Sequence, residues 1–357
     1  MNIILLAGGK GTRLHPLTQD IPKPMVPVVN RPWLHHLVEI VSVLSASNIR
    51  CAVHYRWEII RDVLLSRVKG GVPIELVLER EALGTGGAIK NAAQGIGETF
   101  LVLNADIVPG IDLRDLLRFH RDSGAVCTIA LTRVEDPSAY GAVELSKQAQ
   151  VLRFIEKPAP GKTSSNLVNA GIYIMEPKVL DYIPAGRAVS IEREVFPKLI
   201  SDGLKVCGFA SDAYWNDIGT RSGYLRTHWD ILNGRMALRF PDSNYMHDPG
   251  QNIWVAHGVH VEPGARLVGP IFIGEGCMIR SGATVGPRAV LGPHVKVNTG
   301  AVIRDSVIWS GAHIGANSLI EECVVGFNTI IEDSRTARAE LIRSHKLWEN
   351  STTLVTV

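Results

Sequence analysis

Two rhythms of apolar positions divide the chain. From Met1 to about Gly234, short apolar runs alternate with stretches of helical period; the runs include Asn2 to Leu6, Ile74 to Leu78, Phe100 to Leu103, Val126 to Leu131 and Val151 to Ile155. Trp33, Leu34, Leu37, Val38, Val41 and Leu44 lie on one stripe and predict a helix over Trp33 to Leu44, while Asp112, a good N-cap residue, opens another over Asp112 to His120. Further helical patterns run through Ala93 and over Tyr224 to Leu232. This alternation predicts an α/β domain, a Rossmann-like and mostly parallel sheet with helices on both faces. After about residue 250 the helical signal stops. Val255, Val261, Leu267, Ile273, Ile279, Val285, Leu291, Val297 and Ile303 recur every six residues, the register slips by one, and the period resumes at Ile308, Ile314 and Ile320. One inward aliphatic per short strand, with glycines at the corners, is the hexapeptide pattern of a left-handed parallel β-helix. The expected organisation is a first domain over 1–235, a linker over 236–252 containing Pro241-Asp242-Ser243-Asn244, and a β-helix with a C-terminal tail over 253–357.

Composition narrows the class. Net charge is +2 from 37 basic and 35 acidic residues without a long run of either sign, which argues against a nucleic-acid partner. No segment approaches a membrane span and the first residues lack a basic lead or cleavage site, so a cytoplasmic protein is expected. Cys51, Cys127, Cys207, Cys277 and Cys323 are odd in number, scattered and never in Cys-x-x-Cys form, so free thiols are expected. The 12 histidines include no His-x-x-x-His pair, and the helical His35-His36 is read as solvated or packed.

The first strand leads into chemistry. Leu6-Ala7-Gly8-Gly9-Lys10-Gly11-Thr12-Arg13 bares backbone N–H groups that can converge on phosphate oxygens, and Arg13 and Lys23 add charge, Arg13 as a bidentate fork and Lys23 as a point charge between two prolines. Asp106 leaves the strand Phe100 to Leu103 at its C-terminal end, where it is a metal carboxylate or a helix N-cap. With Asp217 of Trp215-Asn216-Asp217-Ile218-Gly219 it could hold Mg²⁺, which favours one or two carboxylates plus substrate phosphates. Gly141 opens a strand where a ligand can approach closely. Glu156 and Asn169 could bond sugar hydroxyls, and Lys157 could neutralise a phosphate.

The string Ala7-Gly8-Gly9-x-Gly11-Thr12-Arg13-Leu14 followed by Pro22-Lys23-Pro24-Met25 resembles the signature of the sugar-1-phosphate nucleotidyltransferases, or NDP-sugar pyrophosphorylases, and the resemblance covers residues 1 to 330. It implies NTP plus sugar 1-phosphate giving NDP-sugar plus pyrophosphate, with Arg13, Lys23, Asp106 and Asp217 catalytic. The same resemblance makes Asp106 and Asp217 the metal pair, and Gly141, Glu156, Lys157 and Asn169 the sugar-phosphate contacts. Leu6, Ala7, Gly8, Gly9, Gly11, Thr12, Arg13, Glu79, Gly84 and Thr85 form the implied nucleotide site. Glutamate at Glu79 resembles guanylyltransferases, where related enzymes for other bases carry glutamine. A carboxylate can accept from the two adjacent donors of guanine. Ser190-Ile191-Glu192-Arg193-Glu194-Val195-Phe196-Pro197 resembles mannose-1-phosphate guanylyltransferases, whereas Gly84-Thr85-Gly86-Gly87-Ala88-Ile89 is more similar to enzymes acting on heptose phosphates.

GTP with a manno-configured sugar phosphate is therefore expected, with UTP, dTTP or ATP and a glucose or cyclitol phosphate as the alternative. Two other classes stay open: an acyltransferase using His294 or His313 of the β-helix, and an inactive regulatory subunit. The β-helix is expected to join subunits into a homo-oligomer, and removing it near residue 250 to spare at least some transferase activity.

Overall fold

The strand Asn2–Leu6 pairs in parallel with Phe100–Asn104 on one side and Asn48–Val53 on the other, and Ile74–Leu78 extends the sheet beyond Asn48–Val53. These strands carry the continuous apolar runs that a two-sided parallel sheet requires; Ile3, Ile4, Leu5 and Leu101 to Leu103 have no exposed surface. Beyond Phe100–Asn104 the sheet turns antiparallel through Leu167–Met175, which also pairs with Cys127–Arg133 and Gly141–Leu145. The computed structural model describes residues 1–65, 72–238 and 245–343. Among these, no helix is long and apolar enough to cross a membrane, and all five cysteines are buried free thiols.

The predicted helices form with small changes of length. Trp33–Ser42 ends two residues early. Leu113–Ser123 is capped by the Asp112 side chain accepting from the Arg114 N–H at 2.8 Å. His35 and His36 are buried, and His36 Nε2 lies 3.0 Å from the Val28 carbonyl, a packed role.

Three sheets of mainly parallel strands build the C-terminal region, with consecutive strands such as Ile271–Ile273, Met278–Ile279 and Thr284–Val285 falling on successive faces, consistent with a left-handed β-helix. Ile273, Leu291, Ile308, Val325 and Ile342 stack in one column. The register slip recurs. One corner shortens at Asp305, again at Glu322 and again at Ala339, each with a left-handed φ of 50° to 55°. Counting in sixes therefore loses Val325, Ile331, Ala337 and Ile342, which nonetheless line the core. Of the expected linker, 239–244 lies outside the described residues, and Tyr245–Asp248 is a strand antiparallel to Ile253–Ala256. The expected tail, 344–357, also lies outside them.

Contacts group the chain differently from sequence order. Met1–Gly9 and Leu37–Trp215 form one compact unit; Lys10–His36 belongs with the chain from Asn216 onward. The segment carrying Arg13 and Lys23 is thus packed with the helix after Asp217 and with the β-helix.

Candidate active site

Three predicted residues meet in the second unit. Arg13 follows the left-handed Gly11, and Lys23 begins a short turn, Lys23–Met25, whose backbone is stiffened by Pro22 and Pro24. Asp217 ends the strand Trp215–Asp217. Arg13 Nη2 donates to Asp217 Oδ2 at 3.2 Å and Lys23 Nζ lies 3.5 Å from Oδ1. The Lys23 side chain is 7 % exposed and that of Arg13 59 %, so one cation is fixed and the other can move toward an incoming anion. Gly219, which sequence reasoning passed over, closes the cluster: its N–H donates to Asp217 Oδ1 at 2.6 Å, and a Cβ here would collide with Lys23 Nζ and stand 2.8 Å from Arg13 Nη2. The signal was a glycine two residues past the aspartate, where only a hydrogen side chain leaves room for two cations.

Leu6, Ala7, Gly8 and Gly9 emerge from the first strand in the other unit, where the Ala7 N–H donates to the Ala52 carbonyl. Glu79 follows Ile74–Leu78 and is buried. Its Oε2 accepts from the Leu83 N–H at 3.1 Å, while Oε1 lies 3.1 Å from where a Gly8 Cβ would stand. Any larger residue at position 8 would fill the gap beside that carboxylate. Burial pushes the Glu79 carboxyl above its ordinary range, with the Leu83 N–H and His54 opposing. His54, also missed, borders the same place: its Nδ1 lies 2.9 Å from the Glu79 carbonyl, which makes Nδ1 the donor and leaves Nε2 an acceptor in the neutral ring. Gly84 and Thr85 open the helix Gly84–Ala92, against which Val189 to Ile191 docks. The Thr85 hydroxyl donates to Glu192 Oε2 at 2.7 Å and accepts from the Ile191 N–H at 2.9 Å, so its direct work is to join these segments.

The sugar-phosphate candidates line the antiparallel end of the same sheet. Gly141 and Glu156 are register partners across a hairpin, and Lys157 follows in a left-handed conformation, φ 49°, exposed. Asn169 sits where Leu167–Met175 breaks register; its Oδ1 accepts from the Gly171 N–H at 2.9 Å and its Nδ2 donates to the Tyr173 hydroxyl at 2.8 Å. Burial, and then the neighbouring Glu192, push the Glu156 carboxyl up; burial and the same glutamate raise the Tyr173 phenol well above its usual range. Tyr173 and Glu192 belong to this group although the sequence analysis assigned them nothing. Asp106 occupies the turn after Phe100–Asn104, half-buried, beside Ala105 whose N–H donates to the Leu6 carbonyl. No cluster of three or more metal-ligating side chains occurs among the described residues.

Comparison with known proteins gives the arrangement its context. Residues 2–234 match the Nucleotidyl transferase family and residues 267–344 the GMPPB C-terminal domain. A mannose-1-phosphate guanylyltransferase of Mycobacterium tuberculosis is 37 % identical over 85 % of this chain and 83 % of its own length. A UTP–glucose-1-phosphate uridylyltransferase of Synechocystis is 30 % identical over 91 % of this chain and 87 % of its own. The crystal structure of HddC from Yersinia pseudotuberculosis superposes with a TM-score of 0.55 at 30 % identity, covering 63 % of this chain and 97 % of that one. Nucleotidyltransferases of this kind generally use a divalent metal. With this family match over residues 2–234 and these relatives, the chain belongs to the sugar-1-phosphate nucleotidyltransferase family.

Proposed function

We propose that the protein makes a GDP-sugar from GTP and mannose 1-phosphate, or a closely related manno-configured sugar phosphate, and releases pyrophosphate. The observation that carries the base assignment is the buried Glu79 carboxylate facing Gly8, with one oxygen directed at the gap beside that glycine. Guanine offers N1–H and an amino group side by side, and a carboxylate accepts from both. The guanylyltransferase named among the relatives supports the same choice.

The transfer needs no protein nucleophile. A sugar-phosphate oxygen forms a bond to the α-phosphorus as the bond to the pyrophosphate oxygen breaks, so the chain must hold two anions together and offset the charge that develops. Arg13 and the amides of Gly8 to Thr12 are assigned to the departing pyrophosphate. Lys23 and Lys157 screen the reacting phosphates, and Glu156 and Asn169 orient the sugar. Asp106 and Asp217 are assigned to Mg²⁺. Both are hard oxygen donors, and the exposed guanidinium of Arg13 can leave Asp217 Oδ2 to such an ion. When bound, the ion adds positive charge to the phosphate oxygens.

The reading includes a cytoplasmic home and a homo-oligomer joined through the β-helix, whose Val261 and Ile330 stay exposed. Pyrophosphate release from GTP, UTP, dTTP and ATP, each against mannose, glucose and heptose 1-phosphates, tests the assignment. GTP with a manno-configured phosphate should give the highest kcat/KM. A preference for UTP with glucose 1-phosphate would move the protein to the chemistry named for its Synechocystis relative.

A further inference from the structure

Lys23 stands between two stretches that the β-helix holds. After the turn Lys23–Met25 the chain forms a tight hairpin, Pro27–Val28 against Arg31–Pro32, whose tip residues Val29 and Asn30 are both left-handed, φ 47° and 65°. For the β-branched Val29 this conformation is strongly disfavoured, so the hairpin needs outside support. Three contacts supply it. The Val29 N–H donates to His228 Nε2 at 3.2 Å, Asn30 Nδ2 donates to the Leu291 carbonyl at 2.8 Å, and the Pro27 carbonyl accepts a short hydrogen bond from the Tyr224 hydroxyl. Tyr224 is itself tethered, since its oxygen accepts from Trp309 Nε1 at 3.0 Å.

Trp309 lies on a β-helix coil, its backbone N–H donating to the Val325 carbonyl at 2.8 Å and its ring centroid 4.7 Å from that of Phe327. Trp309 and Tyr224 are 2 % and 1 % exposed, so neither polar group can turn to water for a substitute partner. On the other side of Lys23, Leu17 packs close to Gly326, and Arg343 pairs with Asp20.

We propose that Trp309 is a positioning residue of the transferase, acting through Tyr224 and the Pro27 carbonyl to fix Lys23 and, with it, the phosphate-binding loop. The proposal rests on the reading of Arg13 and Lys23 as triphosphate cations. Pro24 and Pro27 restrict the backbone between Lys23 and the hairpin, so a shift at the Pro27 carbonyl passes to Lys23 with little damping. An indole is required because phenylalanine fills similar space without the donor that orients the Tyr224 hydroxyl.

Full-length Trp309→Phe, Tyr224→Phe, their double variant and Asn30→Ala test this by steady-state kinetics with each substrate varied in turn. Misplacing a binding group by about an ångström can cost roughly a hundredfold, and a partial shift should lower kcat/KM for the nucleotide about tenfold. The KM for sugar phosphate should stay within about twofold, while the melting temperature should fall by a few degrees, since the relay variants leave a buried polar group unpaired. Tyr224→Phe should match Trp309→Phe, and the double variant should add little, because both break one relay. Asn30→Ala, which touches the relay nowhere, should give the same nucleotide-selective loss. Equal losses toward both substrates, or a lowered melting temperature with unchanged kinetic constants, would reduce Trp309 to packing and overturn the proposal. Lys23→Met separates the two readings. If it cripples nucleotide use while Trp309→Phe and Asn30→Ala leave it normal, the relay fails alone; if it is harmless, the phosphate assignment and the proposal resting on it fail together.

Discussion

Asp217 takes the charge of Arg13 and Lys23 on separate oxygens while the Gly219 N–H shares Oδ1. An amide in its place keeps an acceptor for Gly219 and removes the negative charge from both cations. Asp217→Asn should therefore keep its fold and lose at least ~100-fold in turnover, and Asp106→Asn should do the same, since each is assigned as a charged ligand. Near-normal turnover in either variant at saturating Mg²⁺, with an unchanged melting curve, would remove that residue from the metal pair. Glu79 offers a sharper test because its structural and chemical duties separate. Glutamine can still accept from the Leu83 N–H through its carbonyl oxygen, but its amide then sets donors against guanine. The cost should be about 1–3 kcal/mol in GTP specificity, with smaller losses toward UTP or dTTP. Because burial raises the Glu79 carboxyl, its protonation should erode GTP preference on the acid side at a higher pH than an ordinary carboxylate would, and Glu79→Gln should abolish that dependence. An unchanged base preference in the variant would sink the guanine assignment. These residues were legible because motif spacing names them; His54, Tyr173, Glu192 and Gly219 were not, because only the fold brings them to their partners.

Strands and helices with a clean period were readable: Ile74–Leu78 forms as expected, and the capped helix Leu113–Ser123 differs mainly by one more turn at its end. The hairpin Pro27–Val28 to Arg31–Pro32 was invisible, since Val29 contradicts the turn it adopts and is held there by a histidine 199 residues later. That histidine makes a pH prediction. His228 accepts from the Val29 N–H through Nε2, so the neutral ring carries its proton on Nδ1 and donates it to the Tyr224 carbonyl at 2.9 Å. Burial pushes its pKa down to about 4 from an ordinary value near 6.5. The unfolded chain then binds the extra proton first, so the stability tied to this group is fully present above about pH 6.5 and is lost as pH falls toward 4, by about 3 kcal/mol in all. His228→Gln supplies one donor and one acceptor without titrating. Urea unfolding of both proteins from pH 7.5 to 4 should show the native chain losing more stability than the variant across that window. Parallel losses would mean that His228 is not neutral and buried in the way its contacts require.

The change of rhythm near residue 235 marks where repeats begin, and it carries no information about which segments pack together. Lys10–His36 belongs to the sheet domain by sequence order, yet its contacts are with the chain from Asn216 onward, through Leu291, Tyr224, Gly326 and Arg343. A periodic pattern reveals what an element buries inside itself. It says nothing of outward polar groups, such as the Leu291 carbonyl or the Trp309 indole N–H, that hold another segment in place. The expectation that removing the β-helix near residue 250 would spare at least some transferase activity accordingly narrows to a small remainder. The truncated chain keeps the sheet with Glu79, Asp106, Glu156 and Asn169, but it loses Leu291, Trp309 and Arg343, the partners that hold both sides of Lys23. Turnover should fall by roughly a hundredfold or more, the size of effect that misplaced binding groups produce, while circular dichroism still reports the sheet and helices of the first unit. Light scattering on the same sample should show a smaller oligomer if the β-helix joins subunits. A truncated chain with folded spectra and more than about a tenth of native kcat would show that the loop positions Lys23 unaided, because a misplaced phosphate cation cannot sustain that rate.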